Sequence, residues 1–475
     1  MPHAAGHCSL LVLLNPGRTS RNYLLGIARA AERFGILAGT IELGDMWAAL
    51  HAARSPGDRA GVQREWASRV QNICAARRVT HALGYVFNGA FDFGLVPDAQ
   101  GRPAGLFPRL GVRHVMLWTD HPNWAMNAAA LDPSVRRALA HPDHRHLLKS
   151  PAAADECAAV CAWPAQTVIG TDMGEDPTTL RPAREVAPVH DAVLIMSDAA
   201  PPAPEVHGFL HQDDPDPRAI MCAMRPVAER QWRRACERHG ADPRQIPGLE
   251  ALGAEWLALK LDDPAASFWS LHGALAAAHA EALSWLKADP RRWYDAVAAL
   301  NAITAWRRTF WPAWLARRIN LGVYGCTPAA AQAIGARQQP ELAGWIAYER
   351  QAHVYALGHA ALNINAPHDE EGLTHKPFQM AASGAAVIHH DSRGIERCFL
   401  PGEEMLTFTR GPVLLDHVSQ LRADARLRRK MGDRARARVE RSHSWDARLR
   451  AWIADTPDQA ASSAAQEAAP VVAAA

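Results

Sequence analysis

"HDEEGLTHKPFQMAASGAAVIHHD", residues 368–391, sets three acids, a glycine and a lysine just ahead of small apolar residues, a second glycine and an apolar run. Asn363-Ile364-Asn365 ends a strand before it, and His368 to Thr374 read as a loop. Thr374 is a suitable N-cap for a helix beginning near His375. The start of such a helix offers free backbone N–H groups and a positive dipole end, which suits a phosphate. Lys376 adds a full charge in the same turn, beside Gly372 and Thr374. Gly384 ends the helix, so that "AAVIHHD" can start as a strand. Glu371 lies in the loop, where an acid can accept bonds from sugar hydroxyls. Gln379 lies one turn inside the helix, where an amide can bond a ribose diol.

Working outward, the chain alternates strand and helix. "SLLVLLNPGRTSRNYLLGIARAAERFG" reads as a buried strand, a turn at Asn15-Pro16-Gly17 and a helix. "THALGYVFNG" and "RHVMLWTDHPNW" read as further strands. "ECAAVCAWPAQTVIGTDMG" reads as a helix and a short strand. Apolar runs without period-two alternation fit strands buried on both faces, hence a parallel sheet in an α/β domain. From about Pro201 to Ala316 the period is helical, and several Trp residues there are expected to fill gaps between helices. "INLGVYGC" and "YERQAHVYALGHAALNIN" resume the alternation. The expected layout is an N-terminal Rossmann-like domain over 1–185 and a C-terminal one over 186–453. A helical insertion spans about 205–316, and a disordered tail covers 454–475. Ligands of such sheets sit at the carboxyl ends of strands. Asn15 to Ser20, Asn88 to Phe91, Thr119 to Trp124 and the opening stretch are therefore the loops of interest.

Composition narrows the function. Of 475 residues 48% are apolar, enough for sizeable cores, and the net charge of +2 gives no electrostatic case for a nucleic-acid partner. The first residues carry neither a basic flank nor a long apolar core, and no apolar run reaches the ~18 residues of a transmembrane helix. Eight cysteines are scattered, with only Cys157 and Cys161 close together. Reduced thiols in a cytoplasmic protein, without a zinc pattern, are expected.

The loop-to-helix joint resembles the C-terminal donor site of GT-B glycosyltransferases. Their retaining members carry two glutamates separated by seven residues, matched here by Glu371 and Gln379. More narrowly, the chain resembles the spore maturation CgeB-like glycosyltransferases. The matching residues are Leu362-Asn363-Ile364, Gly372-Leu373, Lys376, Phe378-Gln379, Ala381-Ala382-Ser383-Gly384, "CFLPGEEMLTF" and "ERSHSWDAR". "LWTDHPNW" and "RINLGVYG" add to these, whereas 205–316 is poorly covered. The resemblance implies a GT-B fold, with two Rossmann-like domains facing a cleft. It implies a hexosyltransferase-type enzyme moving sugar from a nucleotide-sugar donor to a hydroxyl on a glycan, lipid or protein. The chemistry it implies is metal-independent, with no cofactor besides the donor itself. A glycosyltransferase-fold protein without transfer activity, serving in glycan binding or assembly, is the alternative that Gln379 keeps open.

Further candidates have a plainer reading beside the functional one. Asp120 and His121 end a strand and can act as base toward an acceptor, or simply form a turn before Pro122. His389 ends another strand, with His390 and Asp391, and can touch the donor. Glu403 and Glu404 follow Pro401-Gly402 and offer a ribose contact alternative to Gln379. Glu371, Lys376 and Gln379 can instead face solvent. Asp214-Pro215-Asp216 is an Asp-x-Asp in a Pro-rich turn, a poor setting for a metal. The basic run Arg422 to Arg441 reads as a solvated helix face.

Overall fold

A computed structural model describes residues 8–86, 88–98, 100–119, 133–197, 199–367 and 370–453. Two parallel sheets organise it. The first contains β1 (Leu10–Leu14), β2 (Leu37–Glu42), β3 (His81–Tyr85), β4 (Arg113–Trp118), β5 (His144–Leu148) and β6 (Val168–Gly170), in the order β2-β1-β3-β4-β5-β6. The second contains β7 (His190–Ile195), β8 (Leu321–Tyr324), β9 (Gly358–Asn363), β10 (Val387–His390) and β11 (Met405–Phe408), in the order β8-β7-β9-β10-β11. The α/β class with two Rossmann-like domains is as expected. Every residue of β1 is buried, which explains its unbroken apolar sequence. Three strands, β2, β5 and β7, are passed over by the sequence reading because they carry polar or short apolar segments.

Helices cover the sheets. α1 (Arg18–Arg33) and α2 (Pro151–Val160) belong to the first half. Between β7 and β8 the chain leaves the second sheet for α3 (Pro217–Arg238), α4 (Ile246–Asp262), α5 (Phe268–Leu275), α6 (Pro290–Leu300) and α7 (Arg307–Ala316). α8 (Gln351–Ala356), α9 (His375–Ala382), α10 (Arg393–Cys398), α11 (Ala425–Arg438) and α12 (Trp445–Ile453) follow.

Most tryptophans of α3–α7 are core residues, as expected, while Trp269 is partly buried against the core. Trp232, Trp256, Trp293, Trp311 and Trp314 are almost wholly buried and join one cluster with the inner faces of both sheets. Trp232 and Trp256 donate their indole N–H to the carbonyls of Leu249 and Phe268, each at 3.0 Å. Trp293 donates to Glu156 of α2 at 2.7 Å, so the insertion also grips the first half. Buried indoles usually keep a partner for this polar atom, but Trp306 Nε1 and Trp311 Nε1 have none among the described residues. At the other end of the chain α12 returns to α1. A Cβ on Gly26 would lie 2.6 Å from the Trp445 ring, and one on Gly174 2.5 Å from it. Only glycine admits that packing.

Candidate active site at the strand ends

Each sheet reverses its strand order once, between β1 and β3 in the first and between β7 and β9 in the second. Crevices of this kind, beyond the carboxyl ends of strands, are where such sheets bind ligands. At the end of β1 the Gly17 N–H donates to Asn15 Oδ1 at 2.5 Å, and a Cβ on Gly17 would come within 2.7 Å of Ser20. At the end of β3 Val86 has φ 52. A β-branched residue there costs about 1–3 kcal/mol, a strain that gathers at functional sites. At the end of β4 the Thr119 hydroxyl donates to Tyr85 Oη at 2.7 Å. Asp120 and His121, which follow it, lie outside the described residues.

The second sheet's strand ends meet the insertion. Glu370 and Lys260 of α4 are both buried, with Nζ 2.5 Å from Oε1. Burial pushes the Glu370 carboxyl up and the Lys260 ammonium down, while their mutual attraction opposes both shifts. Thr304 adds a bond to Glu370 at 3.3 Å. Arg307, the first residue of α7, faces both Glu370 and Asp391. Its terminal nitrogens lie 3.5 and 3.4 Å from the Pro264 carbonyl. Its buried Nε has no partner among the described residues. Arg307, Asn365, Glu370, His390, Asp391 and Ser392 line a narrow recess.

Glu371 stands beside this recess. Its Oε1 accepts from the Ser267 N–H and hydroxyl, each at 2.9 Å, and from the Ser270 hydroxyl. Arg393 lies 3.7 Å away and is itself paired with Asp263. Burial raises the Glu371 carboxyl, but the serine bonds and Arg393 outweigh it and hold the group below its ordinary value. Gly372 meets the first half: a Cβ there would lie 3.0 Å from the Lys149 carbonyl. Gly372 accepts from Asn365 Nδ2 at 3.0 Å.

α9 begins at His375, as the sequence suggests, but the Thr374 side chain makes no cap bond. The first-turn N–H groups are thus left to another acceptor. His375 stacks on Tyr23 of α1, with ring centres 3.6 Å apart. Lys376 is partly buried, with Nζ 3.4 Å from Gln351 Oε1. Burial pushes it down to about 8, with Glu175 opposing and Arg308 reinforcing the shift. Gln379 is fully buried, its Nε2 3.5 Å from Tyr23 Oη. Near it lies Glu175, a buried acid that accepts from the Tyr348 hydroxyl and, at 2.8 Å, from the Asp176 N–H; Glu175 Oε2 and Gln379 Oε1 have no partner among the described residues. Burial pushes Glu175 up to about 7. A carboxylate therefore does stand next to position 379, supplied by the segment after β6.

Other residues singled out by sequence are engaged as follows. His389 is buried, its Nε2 2.8 Å from Asn363 Nδ2, and burial pushes it down to about 4. Glu403 pairs with Arg434 at 2.8 Å. Buried Glu404 accepts from the Leu400 N–H at 2.9 Å and pairs with Arg438 at 3.2 Å. Both acids are thus turned to α11. Asp214 pairs with Arg410, and Asp216 caps α3 by accepting from the Arg218 N–H at 3.0 Å. Within the basic run, Arg422, Arg434, Arg436 and Arg438 each find a carboxylate.

The sequence reading missed Lys260, Arg307, Glu370 and Glu175. The first two sit in the tryptophan-rich insertion, where the only sign was the Arg307-Arg308 pair heading a helix. It also missed Asp172, Cys398 and His443, whose ligand-type atoms converge although the residues are distant in sequence. Arg397 lies 2.6 Å and Arg448 3.6 Å from Asp172. Two guanidiniums already balance that carboxylate and would repel a cation.

Residues 307–454 match the model of the family described as glycosyl transferase-like. The matched segment, just under a third of the chain, starts at Arg307 and contains the loop, α9 and the second sheet from β8 onward. No curated protein sequence matches. Among solved structures, sucrose-phosphate synthase from Thermosynechococcus elongatus is 11% identical, covers 94% of this chain and 98% of its own, and has a TM-score of 0.42. Anabaena HepE, solved in complex with UDP-glucose, is 8% identical, covers 94% and 99%, and has a TM-score of 0.46. A glycosyltransferase from Rickettsia africae is 9% identical, covers 94% and 96%, and has a TM-score of 0.41. No helix among the described residues is long and apolar enough to cross a membrane.

Proposed function

We propose that this chain is a GT-B glycosyltransferase of the CgeB-like kind, moving a sugar from a nucleotide-sugar donor to a hydroxyl of a glycan, lipid or protein. The observation that carries the proposal is the glycosyl transferase-like match over 307–454, which encloses the loop-to-helix joint at the strand ends. In this reading the donor lies across the ends of β9 and β10. The uncapped start of α9, Lys376 and Arg307 neutralise its diphosphate. Glu371 accepts from a sugar hydroxyl. The leaving diphosphate is stabilised by these cations and helix N–H groups, so the transfer is metal-independent and needs no cofactor beyond the donor. Asp120 or His121, directly after Thr119, takes the acceptor proton. A general base of this kind contributes typically 10²–10⁴-fold in rate. One observation favours the second reading, a non-transferring glycan-binding or assembly protein: position 379 carries an amide, and that amide is buried at the domain junction.

The test is a panel of nucleotide sugars, assayed for binding by thermal shift and for hydrolysis and transfer. A donor at ~100 times its dissociation constant stabilises the fold by ~2.7 kcal/mol. Turnover lost in Asp120→Asn or His121→Ala, with donor binding kept, supports the enzyme. Binding without turnover under any condition favours the second reading. No stabilisation by any member of the panel refutes the donor site.

A further inference from the structure

The insertion touches Glu371 in an uneven way. All the side-chain hydrogen bonds Glu371 makes with described residues fall on one oxygen. Oε1 accepts from the Ser267 N–H, the Ser267 hydroxyl and the Ser270 hydroxyl. Oε2 accepts from no described residue. The serines belong to the N-terminus of α5, where Ser267 is also the N-cap and accepts from the Ser270 N–H at 3.1 Å. Two further pairs tie this region to the insertion. Lys260 of α4 pairs with Glu370 inside the protein, and Arg393 at the start of α10, 3.7 Å from Glu371 Oε1, pairs with Asp263. The clasp therefore holds the residue before Glu371 as well as one of its oxygens.

A carboxylate gripped by one oxygen cannot rotate freely, and its second oxygen keeps lone pairs for an outside donor. If α5 were a plug filling the place of a sugar, both oxygens would be expected to bond its hydroxyls. We infer that Ser267 and Ser270 are positioning residues: they hold Oε1 of Glu371 so that Oε2 is aimed at a hydroxyl of the donor's sugar. The inference rests on the donor-site reading above. It gives the helical insertion a part in sugar recognition, and it separates that part from nucleotide recognition. The serines reach the donor only through Glu371, so they act on the sugar and leave the diphosphate contacts alone.

The experiment compares each nucleotide sugar with its own free diphosphate, UDP-glucose with UDP and GDP-mannose with GDP, by calorimetry on the full chain. Ser267→Ala/Ser270→Ala is expected to raise the Kd of the nucleotide sugar about tenfold, the scale of a bond to a charged group. The Kd of the free diphosphate is expected to stay within about twofold of wild type. Ser270→Thr keeps the hydroxyl and is expected to restore sugar binding. In a Glu371→Gln background the serine changes are expected to add little, because the second oxygen they aim at the sugar has been replaced by an amide nitrogen that cannot accept. Should the double variant fail to fold, Ser270→Ala alone carries the comparison, since Ser270 is exposed. Equal weakening of sugar and diphosphate would make the serines merely structural and overturn the inference. Tighter sugar binding would make α5 an occupant of the site and overturn it as well. If wild type binds neither nucleotide sugars nor diphosphates, the donor-site reading itself fails and takes this inference with it.

Discussion

Glu371 and Gln379 belong to one loop-to-helix joint, yet the fold treats them oppositely. Glu371 lies at the edge of a recess, one oxygen held by α5 and the other open. Gln379, on α9, is buried against α1, bonded to Tyr23 and close to Glu175. The difference comes from what covers each. A short polar turn of the insertion reaches Glu371, whereas a helix of the other half lies flat on Gln379. The comparison gives position 379 a reason to carry an amide. A second carboxylate at 379 would share a buried space with Glu175, and two such charges cannot both ionise there.

The clasp around the loop is the place to strain this comparison hardest. Lys260→Met leaves Glu370 buried without its cation, and breaking a buried pair in this way typically costs about 3–5 kcal/mol. Chemical denaturation should show a loss of that size, with much of it returned by Lys260→Met/Glu370→Leu. A loss under about 1 kcal/mol would mean that water reaches the pair.

Gln379→Glu probes the other side. It should destabilise the fold by roughly 1–3 kcal/mol, the cost of burying a polar group without a full set of partners. Calorimetric melting is the measurement. An unchanged melting temperature together with tighter nucleotide binding would show that position 379 opens to a ligand.

Acid and base should find different weak points. Glu175 is pushed from an ordinary 4.5 up to about 7, so the folded chain keeps a proton that the unfolded chain has lost between those values. Its contribution to stability therefore falls as pH rises from about 4.5 through 7. In the first sheet, burial pushes His114 down to about 3 and His146 down to about 4 from an ordinary 6.5. There the unfolded chain binds the extra protons, so stability falls as pH drops below 6.5 toward those values. Between about 4.5 and 6.5 the two effects oppose each other, so denaturation across pH should show the histidine slope partly offset there. Glu175→Gln should steepen the loss of stability on acidification over that range; an unchanged pH profile would place the raised titration elsewhere.

The smallest expected effect is none. A chelator should leave sugar transfer unchanged, because the proposed diphosphate contacts are cations and helix N–H groups. Turnover lost on chelation and restored by a divalent ion would redirect attention to Asp172, Cys398 and His443.

Much of the fold was legible. β1, β3, β4 and β10 are apolar runs between helices, and a run of that kind signals a strand covered on both faces. β5 was not legible because it reads "HRHLL". Its polar appearance hides His144 and His146, both fully buried, with His146 stacked on Trp163 at 3.9 Å. β2 escaped because it is an edge strand with one buried residue, Ile41. The site was legible only along the chain. Glu371, Lys376 and Gln379 stand out because a loop, a cap and a helix start follow one another within a dozen positions.

The sequence by itself determined the alternating elements, the start of α9 at His375 and the burial of the insertion's tryptophans. These depend on local spacing and on apolar side chains leaving water. Only the tertiary structure decided which polar groups meet. Ser267 reaches Glu371, Lys260 reaches Glu370, and Glu175 reaches Gln379 across long separations in the chain. No periodicity encodes such a meeting. It arises because closing the core around two sheets and a helical insertion brings these side chains together, and a polar group taken out of water must then be paired by whatever that packing has placed beside it.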